Sequence, residues 1–196
     1  MVQLSVSLAH ARIDNVPLLE EIFLEINRKV HNDELKTWEV TVLMWVMAKL
    51  HLTNSTFENF SHSATLFLLR KIRSGNSDEV EGIGSQEQAN LAWSITVLEH
   101  YSAESIELLQ EIFEMASTSK FMQTEHANQL WQALFVLTHD CPAAVSEVSQ
   151  PFRKFLREQW HLEKARTKTS SARHKALSET LNFMGIPHFN EHDEDI

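Results

Sequence analysis

With 196 residues, 43% of them apolar, and only 4 Gly and 4 Pro, the chain has the side chains for an ordered, mainly helical core and too few breakers for a loop-rich one. A net charge of −10 excludes indiscriminate coating of nucleic acid, which needs clustered Lys and Arg. The single Cys141 excludes an internal disulfide, as suits a reducing compartment such as cytosol, nucleus, mitochondrial matrix or plastid stroma.

Taken in chain order, segments with an apolar period near 3.6 predict helices over 1–12, 17–31, 36–51, 56–73, 85–100, 103–117, 123–138, 141–162 and 170–184. Met1 falls about where the first helix of a repeat should be half finished, which reads as a fragment or a misplaced start. Neither a signal segment nor an Arg-rich presequence follows it, and no apolar run approaches the roughly 20 residues of a membrane span. Pro17 suits the first turn of the second helix, and Ser85 and Ser102 suit caps of later ones. Gly75, Gly82 and Gly84 mark the clearest loop, 74–84. Pro142, directly after His139-Asp140-Cys141, reads as a helix break before the next first turn.

Three of these segments are centred on a tryptophan: Trp45, Trp93 and Trp131, separated by 48 and 38 residues. A weaker copy, Val6-Ser7-Leu8-Ala9-His10-Ala11-Arg12, lies 39 residues before the first when Ala9 is matched to Ala48. Spacing of this kind predicts an all-α fold, an α-solenoid of about four stacked antiparallel helix pairs with repeats of 38–48 residues. Each Trp-centred helix opens a pair, and the tryptophans should fill equivalent sites between helices. Residues 1–162 form the repeat part, and 163–196 a basic link, a final helix and an acidic tail.

Ser85-Gln86-Glu87-x-Ala89-Asn90-x-x-Trp93-Ser94-x-x-x-Leu98 resembles the P-Q-E-L-A-N-x-L-W-A-x-A-x-L core of octotricopeptide repeats, and Ala127-Asn128-x-Leu130-Trp131-x-Ala133-Leu134 matches the same core. The family's Pro is Ser85 in one copy and Gln123 in the other, and Thr41-Val42 stands where Ala-Asn is expected in the copy around Trp45. The stretch from Ser170 to Ile186, followed by Asn190-Glu191, is similar to the helix and turn that lead into a RAP domain, whose body is not seen in this chain. Together the resemblances imply an organellar RNA-binding protein, in a mitochondrion or plastid. Such a protein acts by occupancy in transcript processing, stability or translation, with polar side chains of the first helices facing bases and basic ones facing phosphates.

Charge is distributed unevenly. Residues 1–152 carry nine basic and twenty acidic side chains, whereas 153–175 carry eight basic residues against Glu158 and Glu163. Arg153, Lys154, Arg157, Lys164, Arg166, Lys168, Arg173 and Lys175 are therefore the first candidates for phosphate contact, and Lys49, Arg70, Lys71 and Arg73 the second. Thr41, Gln88, Thr96, His126 and Gln129 are candidates for base edges, since amide, hydroxyl and imidazole groups donate and accept. Asn90 and Asn128, repeated at one position, read instead as side-chain to backbone links between adjacent helices.

Signals for catalysis and cofactors are weak. No Gly-rich phosphate loop, G-x-S-x-G or H-E-x-x-H occurs, and His188-x-x-x-His192 follows Pro187 in a terminal tail. The expectation is a non-enzymatic protein without metal or cofactor, whose partner is single-stranded RNA, an organellar transcript or ribosomal RNA. The acidic repeats keep a second expectation open: a protein-binding scaffold of the same fold, lodged in a large ribonucleoprotein such as an organellar ribosome. A first-helix face that is polar or basic, with carboxylates opposite, favours RNA; an acidic or apolar face favours the scaffold.

Overall fold

The computed structural model describes residues 1–74, 83–119, 121–166, 180, 181, 183 and 184. Among them every regular element is helical and no strand occurs. The helices are α1 (Val2–Ala11), α2 (Val16–His31), α3 (Thr37–Leu50), α4 (Ser55–Ser74), α5 (Ser85–Leu98), α6 (Ala103–Thr118), α7 (Thr124–Asp140) and α8 (Gln150–Arg166), with a 3-10 turn at Pro142–Val145. Two compact units are present, Met1–Trp160 and His161–Ile196. In the second, residues 161–166 are helical, and the Met184 N–H donates to the Thr180 carbonyl at 3.0 Å.

Local chemistry sets most helix starts. The Asn15 side chain accepts the Leu18 N–H ahead of Pro17, and Ser102 accepts the Ser105 N–H. The Lys36 N–H donates to the Glu39 carboxylate at 2.9 Å, so an acidic group also complements the positive end of α3. The expected single helix over 141–162 is instead divided. Pro142 lacks an N–H and opens the 3-10 turn, and α8 begins anew where Ser149 accepts the Phe152 N–H at 3.4 Å. The helix expected at 170–184 lies outside the described residues except at 180, 181, 183 and 184, as does the 75–82 part of the expected loop.

Within the first unit the helices pack in two rows. α1 packs on α3, α3 on α5 and α5 on α7; in the second row α2 packs on α4, α4 on α6, and α6 on the 3-10 turn. Contacts of α3 with α4, α5 with α6, and α7 with the 3-10 turn join the rows. The helices that carry Trp45, Trp93 and Trp131 thus all lie in the first row.

Amphipathic helices supply the second row: α2 buries Leu19, Ile22, Phe23, Ile26 and Val30 at helical spacing. The middle helices of the first row have neighbours on three sides and are buried nearly all round. On α3, Val40, Leu43, Met44, Val46, Met47 and Ala48 are all inaccessible. Such burial reaches polar residues too, and the hydroxyls of Thr41, Ser94 and Thr96 donate to carbonyls one turn earlier on their own helices. Trp45, Trp93 and Trp131 are half-buried and pack at the margin of the core.

Serine–histidine contacts join several helices. Ser61 on α4 lies 3.0 Å from Nδ1 of His100 after α5, Ser63 lies 3.4 Å from Nε2 of His31, and Ser85 lies 2.9 Å from Nδ1 of His126. Burial pulls the His100 pKa below 6.5, with Glu58 acting weakly in the opposite direction. Because the folded state binds the proton less readily than the unfolded chain, the contribution of His100 to stability is complete above pH 6.5 and declines as pH falls through the folded pKa. Denaturant unfolding between pH 7.5 and 5 should therefore show a falling midpoint, and His100→Gln should flatten that dependence; an unchanged slope would contradict it.

Candidate functional site

The basic residues expected to meet phosphate divide into those bound to neighbouring groups and those exposed at the surface. Arg70 and Lys71 on α4 each contact the Asp33 carboxylate at 2.9 Å, and Arg73 pairs with Glu107 of α6. These two cations, Lys71 foremost, hold the Asp33 carboxyl below its ordinary range. Both also lie over the Phe67 ring. All three cations of α4 are thus committed to neighbouring carboxylates, although surface pairs such as Arg70 with Asp33 are worth only about 0–1 kcal/mol.

On α8, the Arg153 guanidinium donates from Nε to the Val148 carbonyl at 3.0 Å and from a terminal nitrogen to the Val145 carbonyl. Its place is structural, at the start of the helix. Lys154 is exposed 3.8 Å from Glu158, Arg157 and Lys164 are exposed, and Lys164 belongs to the second unit. The side chain of Arg166, and Lys168, Arg173 and Lys175, lie outside the described residues.

The polar positions expected to read bases are mostly turned inward. Thr41, Gln88 and Thr96 are buried, and Gln88 donates its amide to the Ile83 carbonyl at 3.1 Å. His126 is engaged with Ser85, and Gln129 donates to the Asn90 side chain at 3.1 Å. This last bond joins α7 to α5 through two side chains, where the sequence suggests a side-chain to backbone link. Asn128 is buried with its carbonyl oxygen unpartnered. The physical reason is that α5 and α7 each have first-row neighbours as well as a second-row partner, so residues that look peripheral by periodicity face another helix.

A different stripe of the first row reaches solvent. On α3 it comprises Trp38, Val42, Trp45 and Lys49, on α5 Gln86, Asn90, Trp93 and Val97, and on α7 Trp131, Phe135 and His139. Trp38 is 48% exposed and Phe135 56%. Rings follow one another along it: Trp131 and Phe135 have centroids 6.4 Å apart, Phe135 and His139 5.5 Å, and Trp45 lies 5.3 Å from His10 of α1. Beyond the first turns, where Glu39, Glu87 and Glu125 complement helix N-termini, the only carboxylate on these four helices is Asp140 at the end of α7. Glutamates concentrate on the second row, with Glu20, Glu21 and Glu25 on α2 and Glu104, Glu107, Glu111 and Glu114 on α6.

An open cleft of about 480 Å³ lies at the C-terminal ends of α1 and α3, bounded by Arg12, Asp14, Lys49, His51, Trp93 and Val97. Trp93 of α5 and Lys49 of α3 line this one cleft, and Trp45 of α3 lies against His10 of α1, so in both cases the preceding helix of the row supplies the neighbour. Arg12 and His51 were not singled out by sequence. The signal was available in register, because Arg12, His51 and Glu99 each follow the last turn of a first-row helix with φ of 54, 53 and 55°.

No group of three or more His, Cys, Asp or Glu among the described residues could hold a metal ion, and no helix among them is long and apolar enough to cross a membrane. His188 and His192 lie outside the described residues. Comparison with known proteins yields no matching family model, no matching curated protein and no matching solved structure.

Proposed function

We propose that this chain is an α-solenoid of helix pairs that binds single-stranded RNA along the exposed stripe of its first row. It acts by occupancy in transcript processing, stability or translation in a mitochondrion or plastid. The observation that carries the reading is the separation of charge and rings: aromatic and neutral polar side chains line the first row, whereas most helical glutamates lie on the second. Bases present a π-face whatever their identity, so half-exposed Trp, Phe and His rings offer a sequence-tolerant platform. The resemblance of the segments around Trp93 and Trp131 to octotricopeptide repeats supplies the RNA and the organelle. Lys154 and Arg157 remain candidates for phosphate contact.

A second reading, a protein-binding scaffold in a ribonucleoprotein, is favoured by one observation: Phe121, 75% exposed, and Phe135 and Val136 on α7 are large apolar groups open to solvent. Binding of fluorescent single-stranded RNA over a salt series separates the two. Micromolar affinity, weakened about tenfold by Phe135→Ser with His139→Ser, is the expected result for RNA stacking. Absence of binding at low salt would reject RNA recognition and leave the scaffold.

A further inference from the structure

We infer that the cleft between α1, α3 and α5 is a nucleotide subsite, holding one base against Trp93 and its phosphate between Arg12 and Lys49. The inference rests on the RNA reading above and names a place within it. Three observations converge there. The first is chemical: a ring, two permanent cations and an ionisable imidazole border a space of about 480 Å³, within the range of small-ligand clefts. The Asp14 carboxylate can accept from a ribose hydroxyl or a base amino group.

The second observation is that these cations are unengaged. Elsewhere in the first unit Arg28 pairs with Glu25, Lys29 with Glu34, Arg70 and Lys71 with Asp33, and Arg73 with Glu107. Among the described residues the Arg12 and Lys49 side chains have no hydrogen-bond or ion-pair partner, despite Asp14 in the same cleft.

The third observation is backbone conformation. α1 and α3 both end in a Schellman arrangement: the Ile13 N–H donates to Leu8 and that of Arg12 to Ala9, while the Leu52 N–H donates to Met47 and that of His51 to Ala48. The residue at the left-handed position of this motif is usually Gly, because a Cβ is disfavoured there. This chain places Arg12 and His51 there instead, at φ of 54 and 53°. α2 ends in the same way at Asp33, φ 60°, and there the side chain has a use: it binds Arg70 and Lys71. Strained residues whose side chains border one cleft suggest a comparable use for Arg12 and His51.

The carbonyl ends of α1 and α3 each carry about half a negative charge, and Asp14 adds one more, so the cations are partly offset. The cleft therefore suits a single phosphodiester with a stacked base better than a polyphosphate. Contact with one phosphate corresponds to a salt slope contribution of about −0.7 for a single strand.

The test uses the full chain with a fluorescent twelve-residue oligouridylate and, separately, adenosine monophosphate against adenosine. Lys49→Gln should weaken oligouridylate binding about tenfold and flatten the salt slope by about 0.7. Arg12→Gly should weaken it similarly while the melting temperature rises by about 2–4 °C through relief of the left-handed residue. Lys49→Gln should abolish most of the preference for the monophosphate over adenosine, whereas Trp93→Leu should weaken both probes alike by removing the stacked base, and the exposed Lys49 keeps the test valid should the Trp93 variant fold poorly. If the parent chain binds oligouridylate but the Lys49 and Arg12 variants bind it equally well, the subsite is overturned while RNA binding stands. If the parent chain binds no RNA, both readings fall.

Discussion

Phe23→Ala is expected to destabilise the first unit by about 3–5 kcal/mol, the usual range for removal of a buried aromatic ring. Phe23 on α2 is inaccessible and meets two rings of α4 edge-on: Phe57 with centroids 5.2 Å apart at 77°, and Phe60 at 5.0 Å and 86°. Phe57 and Phe60 are themselves among the largest fully buried side chains, so collapse around the vacancy would have to move other well-packed rings. Edge-to-face geometry adds about 0.5–1.5 kcal/mol per pair beyond the area removed from water. Urea unfolding measures the loss, and a cycle with Phe60→Leu should be non-additive because the two sites touch. A loss below about 1.5 kcal/mol would mean that α2 is held mainly by other contacts.

Arg153→Met is expected to lower stability by about 2–3 kcal/mol and to leave RNA affinity unchanged. Met retains much of the apolar stem, so the substitution chiefly removes the guanidinium's bonds to the Val145 and Val148 carbonyls. Bonds to a charged partner are each worth about 1.5–3 kcal/mol, and partial rehydration of the carbonyls limits the sum. The variant separates two meanings of one basic residue. If the salt slope of RNA binding flattens by about 0.7 while the unfolding midpoint stays fixed, Arg153 is a phosphate ligand and its place at the 3-10 turn is incidental. Lys154→Gln beside it serves as the converse, since Lys154 is exposed and lies 3.8 Å from Glu158.

Much of the helical framework was legible in the sequence. Apolar spacing located most segments within a few residues, and Pro17 and Ser102 act at helix starts for the expected chemical reasons, whereas Gly84 takes the cap position expected of Ser85, whose hydroxyl meets His126 instead. The break at Pro142 was legible as a residue property, but its extension into a separate turn was not. That outcome depends on Ser149 accepting an N–H from Phe152 and on Arg153 reaching back to two carbonyls. The candidate site was less legible. Gln88 and Thr96 have the composition of surface residues, yet both are buried, and each makes a bond within five residues along the chain.

By itself, the amino-acid order determined what local forces can settle: where most helices run, that Pro17 and Ser102 act at helix starts, and that Trp45, Trp93 and Trp131 recur in alternate helices. Tertiary structure decided which side of each helix meets solvent and which cations remain unpaired. The physical reason is that a helix with apolar residues nearly all round, such as α3, has no single buried face of its own, so neighbours distant in sequence select its exposed stripe. Asp33 finds Arg70 and Lys71 across 37 and 38 residues, and Asn90 finds Gln129 across 39. The same long-range packing brings Trp93, Lys49, His51 and Arg12 to the walls of one cleft, which periodicity along any one helix could not relate.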